Sequence, residues 1–277
     1  IPALVGRGDA VFADKLNHAS LIDAVQLSRA DSYRYRHLDL AHLESQLAAS
    51  QAPRKMIVTD AIFSMDGDIA PLEELYELAE KYDTWLVIDD AHGFGVVGQG
   101  RGSAAAVKLI PSPRVLYMGT LGKAAGVSGA FVAGSAKVLE WLLQKARTYI
   151  FTTAASPAVA CALQKSLELI AAGSERRAHL VTLIARLRLG LEPLCAERGW
   201  QLLDSPTPIQ PLVIGDNEPT LALSRALLER GIWVPPIRPP TVAKGQARLR
   251  ITLSAAHTVG QVDALVAALA ECGPLKN

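Results

Sequence analysis

The feature that most constrains the fold of this 277-residue chain is a regular alternation of short apolar runs with longer helical patterns. Residues 55–59 and 85–88 are nearly continuous apolar runs, which are typical of strands covered on both faces of a sheet. Between them, Pro71 opens a helix whose leucines recur on one face. The pattern predicts an α/β fold, in which helices flank both faces of a mostly parallel or mixed sheet.

The same patterns locate the other elements and one domain boundary. We predict strands at residues 10–13, 33–35, 115–118 and 130–133, and helices at 21–27, 40–49 and about 135–147. Near residue 173 a different order begins: a long helix, a strand at 209–214, a helix at about 219–230 ending at Gly231, strand-like residues 232–234, a strand at 247–253 and a helix at about 259–270. We therefore predict a large domain at 1–173 and a smaller C-terminal α+β domain at 174–277.

The composition excludes several classes of function. Half of the residues are hydrophobic and the mean hydropathy is +0.21, which excludes intrinsic disorder as the overall state. A net charge of +1 without charge runs, and only 5% aromatic residues, argue against nucleic acid as a partner. No apolar run reaches the roughly 18 residues of a membrane span, and three widely spaced cysteines argue against disulfides or a zinc cluster. We expect a globular cytoplasmic protein.

Unusual residues follow three of the predicted strands, at the position where open α/β sheets bind ligands. They are residues 63–68 (FSMDGD), 89–93 (DDAHG) and 119–126 (GTLGKAAG). In the last segment, Ala124 follows Lys123 where a phosphate-binding P-loop needs Ser or Thr. The surroundings of Lys123 are apolar and rich in glycine, so we expect a buried amine with a lowered pKa that can form a Schiff base. The alternative is an ordinary surface lysine.

Asp89 and His92 leave three interpretations open. They could hold a metal ion, although no further ligands cluster around them in the sequence, and Asp89 could simply cap a loop. In the third interpretation, Asp89 keeps a pyridine nitrogen protonated while Lys123 forms the Schiff base, which together match pyridoxal phosphate chemistry. We favour the third interpretation and predict no metal site.

Residues 93–98 also match Gly-x-Gly-x-x-Gly, the pattern of a dinucleotide site. However, Asp89 and Asp90 would repel a pyrophosphate, and residues 98–102 predict a loop rather than the start of a helix. No acid follows at the distance where the ribose would need one. We therefore interpret the pattern as a glycine-rich turn beside a ligand.

The chain resembles the α-oxoamine synthases, which are fold-type I enzymes that use pyridoxal 5'-phosphate. The resemblance covers essentially all residues in order and is carried by LNHAS at 16–20, FSMDGD at 63–68, DDAHG at 89–93, GTLGK at 119–123, RPPTV at 238–242 and ARLRITLSAAH at 247–257. It implies an aspartate-aminotransferase-like fold with a pyridoxal-phosphate-binding large domain. It also implies a homodimer whose active sites lie at the subunit interface.

For the cofactor, the resemblance implies that Lys123 forms the Schiff base and moves a proton at the substrate α-carbon. Asp89 would pair with the pyridine nitrogen, His92 and Ser64 would approach the phenolic oxygen, and Thr120 would hold the phosphate.

For the substrate, the resemblance implies three further residues. His18 would stack on the cofactor ring as part of the catalytic and substrate-binding set, and Thr241 would contact substrate. Arg250 would bind the amino-acid carboxylate, for which a bidentate guanidinium is suited. Two alternatives stay open: His18 could cap the helix that starts near Ala19, and Arg250 could pair with a surface acid.

The implied reaction is the decarboxylative condensation of L-alanine with a pimeloyl thioester, carried by CoA or by a carrier protein. DDAHG, RPPTV and residues 209–212 (IQPL) favour this reaction over that of glycine with acetyl-CoA. The chain could also be a truncated, non-catalytic homologue, because family members carry a further part before the segment that matches Ile1. We therefore expect an incomplete large domain, and poor solubility, weak cofactor binding and negligible activity for residues 1–277 alone.

Overall fold

The computed structural model describes residues 1–109 and 112–272. The chain forms two compact units, which are considered separately below. The first consists of Ile1–Phe63 and Ile69–Gly173, and the second of Ser64–Asp68 and the chain from Ser174 onward. The five residues Ser64–Asp68 therefore belong to the second unit, although the chain on both sides of them belongs to the first.

In the described part of the first unit, six strands form one sheet in the order β2-β1-β3-β4-β5-β6. The strands are β1 (Ala10–Asp14), β2 (Asp31–Tyr35), β3 (Lys55–Asp60), β4 (Trp85–Asp89), β5 (Val115–Thr120) and β6 (Ala130–Ala133). All neighbours are parallel except β5 and β6. This arrangement confirms the predicted mostly parallel mixed sheet.

The helices of the first unit connect these strands and follow the last one. They are α1 (Ala19–Ser28), α2 (Leu40–Ala49), α3 (Leu72–Lys81), the short α4 (Ser103–Ala106), α5 (Ala136–Lys145), the short α6 (Arg147–Ile150) and α7 (Pro157–Ala171). The predicted helix at about 135–147 is divided in the structure, because the backbone of Ala146 is extended (φ −75°, ψ 101°). Helix α7 is not among the sequence predictions.

Alternate residues of the central strands pack into two separate apolar cores. Phe12 and Ile57 lie in one core with residues of α2 and α3, whereas Val11 and Met56 lie in the other with residues of α1. These four side chains are fully buried, and such burial stabilises a fold by about 1.5 to 3 kcal/mol per side chain. Coverage of both faces explains why the strand sequences are almost continuously apolar.

Helices α5, α6 and α7 differ from the rest of the first unit because they contain no buried residue. Several large apolar side chains are exposed there: Trp141, Leu143, Tyr149, Ile150, Phe151, Leu167 and Leu169. Among the residues that the structure describes, no helix is both long enough and apolar enough to span a membrane.

The described part of the second unit contains an antiparallel sheet in the order β7-β8-β10-β9 and three helices. Its elements are α8 (Ser174–Arg198), β7 (Gln201–Leu202), β8 (Ile209–Gly215), α9 (Asn217–Glu229), β9 (Pro236–Ile237), β10 (Ala247–Thr252) and α10 (Val259–Cys272). The strand-like residues 232–234 are not a strand. Gly231 (φ 76°) ends α9, and the amide of Ile232 turns back to the carbonyl oxygen of Leu227, so pairing starts only at Pro236.

Candidate active site

The carboxyl ends of the parallel strands bring several sequence-predicted residues to one edge of the first sheet. Strand β3 ends at Asp60, β4 at Asp89 and β5 at Thr120. Asp60 is the register partner of Asp89, and Asp89 is that of Met118 on β5. The loop after β5 carries Lys123, so the predicted strand-end residues of β4 and β5 lie along the same edge.

Asp89 is a buried carboxyl group whose environment includes two of the predicted cofactor residues. Its Oδ1 accepts a hydrogen bond from the amide of Ala91 at 3.0 Å. Burial raises the pKa of Asp89, while this hydrogen bond and the charges of Lys123 and His18 act in the opposite direction. The structure thus brings Asp89, Lys123 and His18 within electrostatic reach of one another.

Lys123 does not have the buried environment that we expected from its neighbours. Gly122, Lys123 and Ala124 are all exposed. The small neighbours that make the sequence look apolar add little side-chain volume, so they do not shield the amine. The expectation of a buried lysine is therefore wrong for this chain, although the charge of Lys123 lowers the pKa of the buried carboxyl groups of Asp60 and Asp89.

His18 is the N-cap residue of α1, which is the alternative that the sequence left open. Its Nδ1 accepts the amide of Ser20 at 3.3 Å and lies 2.8 Å from Ser20 Oγ. The backbone amide of His18 donates to Oδ2 of Asp60 at 3.0 Å. The cap fixes the orientation of the imidazole. Stacking of the His18 ring on the cofactor stays a prediction.

Asp60 is a buried carboxyl group (4% exposed) that is not among the residues predicted from the sequence. Its amide donates to Asn17 Oδ1 at 3.1 Å, and the Nδ2 of Asn17 donates to the carbonyl oxygen of Val58. Among the described residues, Asp60 Oδ1 has no hydrogen-bond partner. Burial and then the carboxyl group of Asp89 raise the pKa of Asp60 to about 8. The sequence contained a signal for Asp60, because Asp60 follows the apolar run 55–59 just as Asp89 follows the apolar run 85–88.

His92 lies half-buried in the turn that follows β4, within the glycine-rich segment. In that turn the amides of Gly93 and Phe94 donate to the carbonyl oxygen of Asp90. Gly98–Gly100 form a single 3-10 turn, and the next helix, α4, begins only at Ser103. The segment is thus a loop, which agrees with our interpretation that the glycine pattern is not the start of a dinucleotide-binding helix.

Thr120 supplies the observation that tests whether this edge fits pyridoxal phosphate. Its Oγ1 is buried and has no hydrogen-bond partner among the residues that the structure describes. A buried hydroxyl group without a partner is unfavourable, and a phosphate oxygen would accept its proton. A hydroxyl donor, a buried carboxyl group and an amine match the three polar groups of the cofactor, which are its phosphate, ring nitrogen and aldehyde.

The second unit contains the other predicted residues, Ser64, Arg250 and Thr241. Arg250 on β10 donates from Nε to the carbonyl oxygen of Ser64 at 2.5 Å and from Nη1 to Thr252 Oγ1 at 3.2 Å. Burial lowers the pKa of Arg250. Thr241 is exposed in the turn after β9, where its amide donates to the carbonyl oxygen of Arg238. The hydrogen bond from Arg250 to the backbone of Ser64 therefore places these two predicted residues next to each other.

The alternative that we left open for Arg250, an ion pair with a surface acid, is not observed in the part of the chain that the structure describes. Within residues 1–109 and 112–272, Arg250 makes no salt bridge. The neighbouring Arg248 makes one instead, with Asp66, and also donates to the carbonyl oxygen of Met65 at 3.1 Å. Arg250 therefore keeps guanidinium donors that no carboxylate of the described chain occupies.

Comparisons with known proteins show the family of the chain. The family model described as "Aminotransferase class I and II" matches residues 1–269. The 8-amino-7-oxononanoate synthase of Herminiimonas arsenicoxydans is 66% identical over 274 residues, covering 97% of this chain and 70% of that protein. The synthase of the same name from Aromatoleum aromaticum is 64% identical over 269 residues, covering 97% and 69%.

Solved structures show the same fold. Serine palmitoyltransferase from S. paucimobilis with a bound PLP–myriocin aldimine superposes with a TM-score of 0.91 at 29% identity, covering 98% of this chain and 68% of that one. The 8-amino-7-oxononanoate synthase of Francisella tularensis superposes with a TM-score of 0.82 at 30% identity, covering 98% of this chain and 77% of that one. The chain belongs to the aminotransferase class I and II family and, within it, to the 8-amino-7-oxononanoate synthases.

Proposed function

We propose that this chain condenses L-alanine with a pimeloyl thioester to form 8-amino-7-oxononanoate, a step of biotin biosynthesis. The names of the relatives, at 58–66% identity, support the product. The observation that carries the chemistry is the strand-end cluster, in which Asp89 lies within electrostatic reach of Lys123 and His18. The unpartnered hydroxyl group of Thr120 lies at the same edge of the sheet.

The chain is a pyridoxal-phosphate enzyme, and the bound cofactor supplies an electron sink for negative charge at the α-carbon of the amino acid. Lys123 would hold the cofactor covalently through Nζ. Asp89 would keep a proton on the ring nitrogen, which offsets the cost of burying its own carboxylate. Thr120 would donate from Oγ1 to the phosphate, and His18 would lie against the ring.

We assign the remaining predicted residues to orientation and substrate binding. His92 and Ser64 would hold the phenolic oxygen. Arg250 would bind the alanine carboxylate with the donors that Ser64 and Thr252 do not use, and Thr241 would contact substrate. Arginine suits this task because its planar fork can make two parallel hydrogen bonds to a carboxylate.

The proton transfers belong to Lys123. Its amine would remove the α-proton of alanine. The α-carbon would then bond to the thioester carbonyl carbon, and the sulfur would leave as a thiolate that takes up a proton given up by the ammonium group of alanine. The alanine carboxylate leaves as CO2, and Lys123 returns a proton to the α-carbon. Atoms balance: alanine and the thioester give the amino ketone, CO2 and the free thiol.

We also propose that the chain works as a homodimer in the cytoplasm. The exposed apolar side chains of α5 to α7 support a dimer, because large exposed apolar patches mark association surfaces. The three unpaired cysteines support a reducing compartment.

The proposed reaction is tested by measuring release of CO2 and of free thiol with alanine or glycine, each combined with pimeloyl-CoA or acetyl-CoA. Of the four combinations we expect alanine with pimeloyl-CoA to turn over fastest, and this ranking decides the proposal also at the low overall activity that the sequence predicts for residues 1–277 alone. Preference for glycine and acetyl-CoA would contradict the proposal in favour of a glycine C-acetyltransferase. Product formation is checked by mass spectrometry, and a pimeloyl carrier protein in place of pimeloyl-CoA identifies the acyl carrier.

A further inference from the structure

Asp90 is a completely buried carboxyl group to which the proposed reaction gives no task. Three donors converge on it. Its Oδ2 accepts hydrogen bonds from Tyr117 Oη at 2.5 Å and from the amide of Ser103 at 2.6 Å, and its Oδ1 accepts one from Ser103 Oγ at 2.6 Å. Its own amide donates to the carbonyl oxygen of Met118 at 2.7 Å. Asp90 thus connects β4, β5 and the residue at which α4 begins.

The loop between Asp90 and Ser103 is packed directly against this carboxyl group. A Cβ atom added at Gly93 would overlap Asp90 Oδ1 and Ser103 Oγ, and one added at Gly102 would overlap Tyr117 Oη and Asp90 Oδ2. Gly102 also has φ +96°, a conformation that favours glycine. Gly93 and Gly102 are therefore explained by the close approach of the backbone to Asp90.

The fixed segment contains residues of the proposed cofactor site. The amide of Ala91 orients Asp89 through the 3.0 Å hydrogen bond to Oδ1, and His92 follows within the same turn. Among the described residues, the donors to the Asp90 carboxyl group are two hydroxyl groups and one amide, and none is a cation. Asp90 therefore acts on His92 through the geometry of the loop, and on Asp89 both through that geometry and through repulsion between the two carboxyl groups.

We propose that Asp90 is a positioning residue, whose carboxylate holds loop 91–103 so that Asp89 and His92 face the cofactor. The effect of Asp90 on cofactor binding rests on the proposed function, whereas its effect on the conformation of loop 91–103 does not. In metal sites, groups that hydrogen-bond to a ligand and orient it typically contribute about 10- to 100-fold to affinity or activity. We expect Asp90 to have an effect of similar size on cofactor binding.

The test compares Asp90→Ala, Asp90→Asn and a matched control, Asp9→Ala. Asp9 is also buried (1% exposed) and accepts hydrogen bonds from the Gly6 amide and from Arg54 Nε. It directly precedes β1, however, and so lies at the amino ends of the parallel strands, away from the proposed site. Two quantities are measured: hydrogen–deuterium exchange of the amides at 91–103, and the Kd of pyridoxal phosphate by absorbance titration.

For Asp90→Ala we expect faster exchange at residues 91–103 and a Kd that is about 10- to 100-fold higher. Asp90→Asn should restore both quantities to within a few-fold of the wild type, because an amide oxygen can accept from Tyr117 and Ser103 while its NH2 group donates to Ser103 Oγ. Asp9→Ala should lower the thermal stability and leave both quantities unchanged.

The proposal is overturned if exchange at 91–103 in Asp90→Ala equals that of the wild type, or if Asp9→Ala loosens the loop equally. Should Asp90→Ala fail to fold, Tyr117→Phe and Ser103→Ala each remove part of the network, and unchanged exchange in both would also overturn it. A wild-type chain that binds no pyridoxal phosphate would contradict the proposed function, and the exchange pattern would still decide the role of Asp90.

Discussion

The Nε of Arg250 donates a 2.5 Å hydrogen bond to the carbonyl oxygen of Ser64, across 186 residues of sequence. One guanidinium therefore fixes the backbone of a proposed cofactor residue and retains donors for a proposed substrate group. Lysine cannot do both, because its ammonium is a single point of charge without the planar fork.

Arg250→Lys should therefore raise the KM for alanine more than it lowers kcat. Hydrogen bonds to charged groups contribute about 1.5 to 3 kcal/mol, which corresponds to roughly a 10- to 100-fold change in KM. Steady-state kinetics at saturating thioester measures this effect. The control is Arg186→Lys, which alters an exposed arginine paired with Asp263 in the same unit and should change neither constant. An unchanged KM in Arg250→Lys would remove Arg250 from carboxylate binding.

Thr120→Val should weaken cofactor binding without destabilising the cofactor-free protein. The hydroxyl group of Thr120 is buried without a partner in the described chain, so its removal relieves a desolvation cost while it deletes a donor to the phosphate. We expect an equal or higher Tm without cofactor and a Kd for pyridoxal phosphate that is roughly 10-fold higher or more.

Thr84→Val is the matched control for Thr120→Val. The Oγ1 of Thr84 is also buried without a partner among the described residues, but Thr84 precedes β4 at the opposite edge of the sheet. It should show the same effect on Tm and none on the Kd. Equal values of Kd for the two variants would mean that Thr120 does not hold the phosphate.

Asp60 should make the cofactor-free protein less stable as the pH rises. Its pKa is about 8 in the folded chain against an ordinary value of 3.8, so between these values the folded state binds a proton that the unfolded state releases. This contribution to stability is fully present below about pH 4 and is lost as the pH rises through about 8.

Asp60→Asn should flatten this pH dependence, since asparagine does not titrate in this range. Urea midpoints measured across this pH interval should fall with pH in the wild type more steeply than in Asp60→Asn. The control Asp31→Asn, at an exposed acid of β2, should keep the wild-type slope. Parallel curves for all three proteins would show that Asp60 is ionised in the folded chain at neutral pH.

Lys123→Ala should abolish covalent attachment of the cofactor. Borohydride reduction of the wild type with pyridoxal phosphate should fix one pyridoxyl group, which peptide mass spectrometry should locate at Lys123. The variant Lys137→Ala, which removes another exposed lysine of the same unit, should be labelled at Lys123 like the wild type. Specific labelling of another lysine in both variants would contradict the assignment.

Local patterns were sufficient to predict the sheet and much of the candidate site. Apolar runs located the strands of the first sheet, and the residues after them included Asp89 and Lys123, because parallel strands end at one edge. The same argument would also have predicted Asp60, which ends β3. The capping role of His18 was among the stated alternatives, since its position before α1 is visible in the sequence.

Other features depend on long-range contacts that no local pattern records. The ion pair of Arg248 with Asp66 joins residues 182 positions apart, so the assignment of Ser64–Asp68 to the second unit could not be read from either segment. The exposure of Lys123 depends on what covers its loop, which the identity of its neighbours does not determine. Helix α7 was missed although its sequence carries a start signal, Pro157 at the first helical position.

The membership of Ser64–Asp68 in the second unit restricts how related genes can recombine. Ser205 Oγ and Thr207 Oγ1 both donate to the carbonyl oxygen of Gly67, and a Cβ added at Gly67 would overlap the carbonyl oxygen of Ile209. A chimaera joined at residue 173 would combine these donors with a segment 64–68 inherited from another parent. Such crossovers should yield folded proteins only when the parent of residues 1–173 supplies glycine at position 67, so the apparent boundary between the units is not a neutral point of exchange.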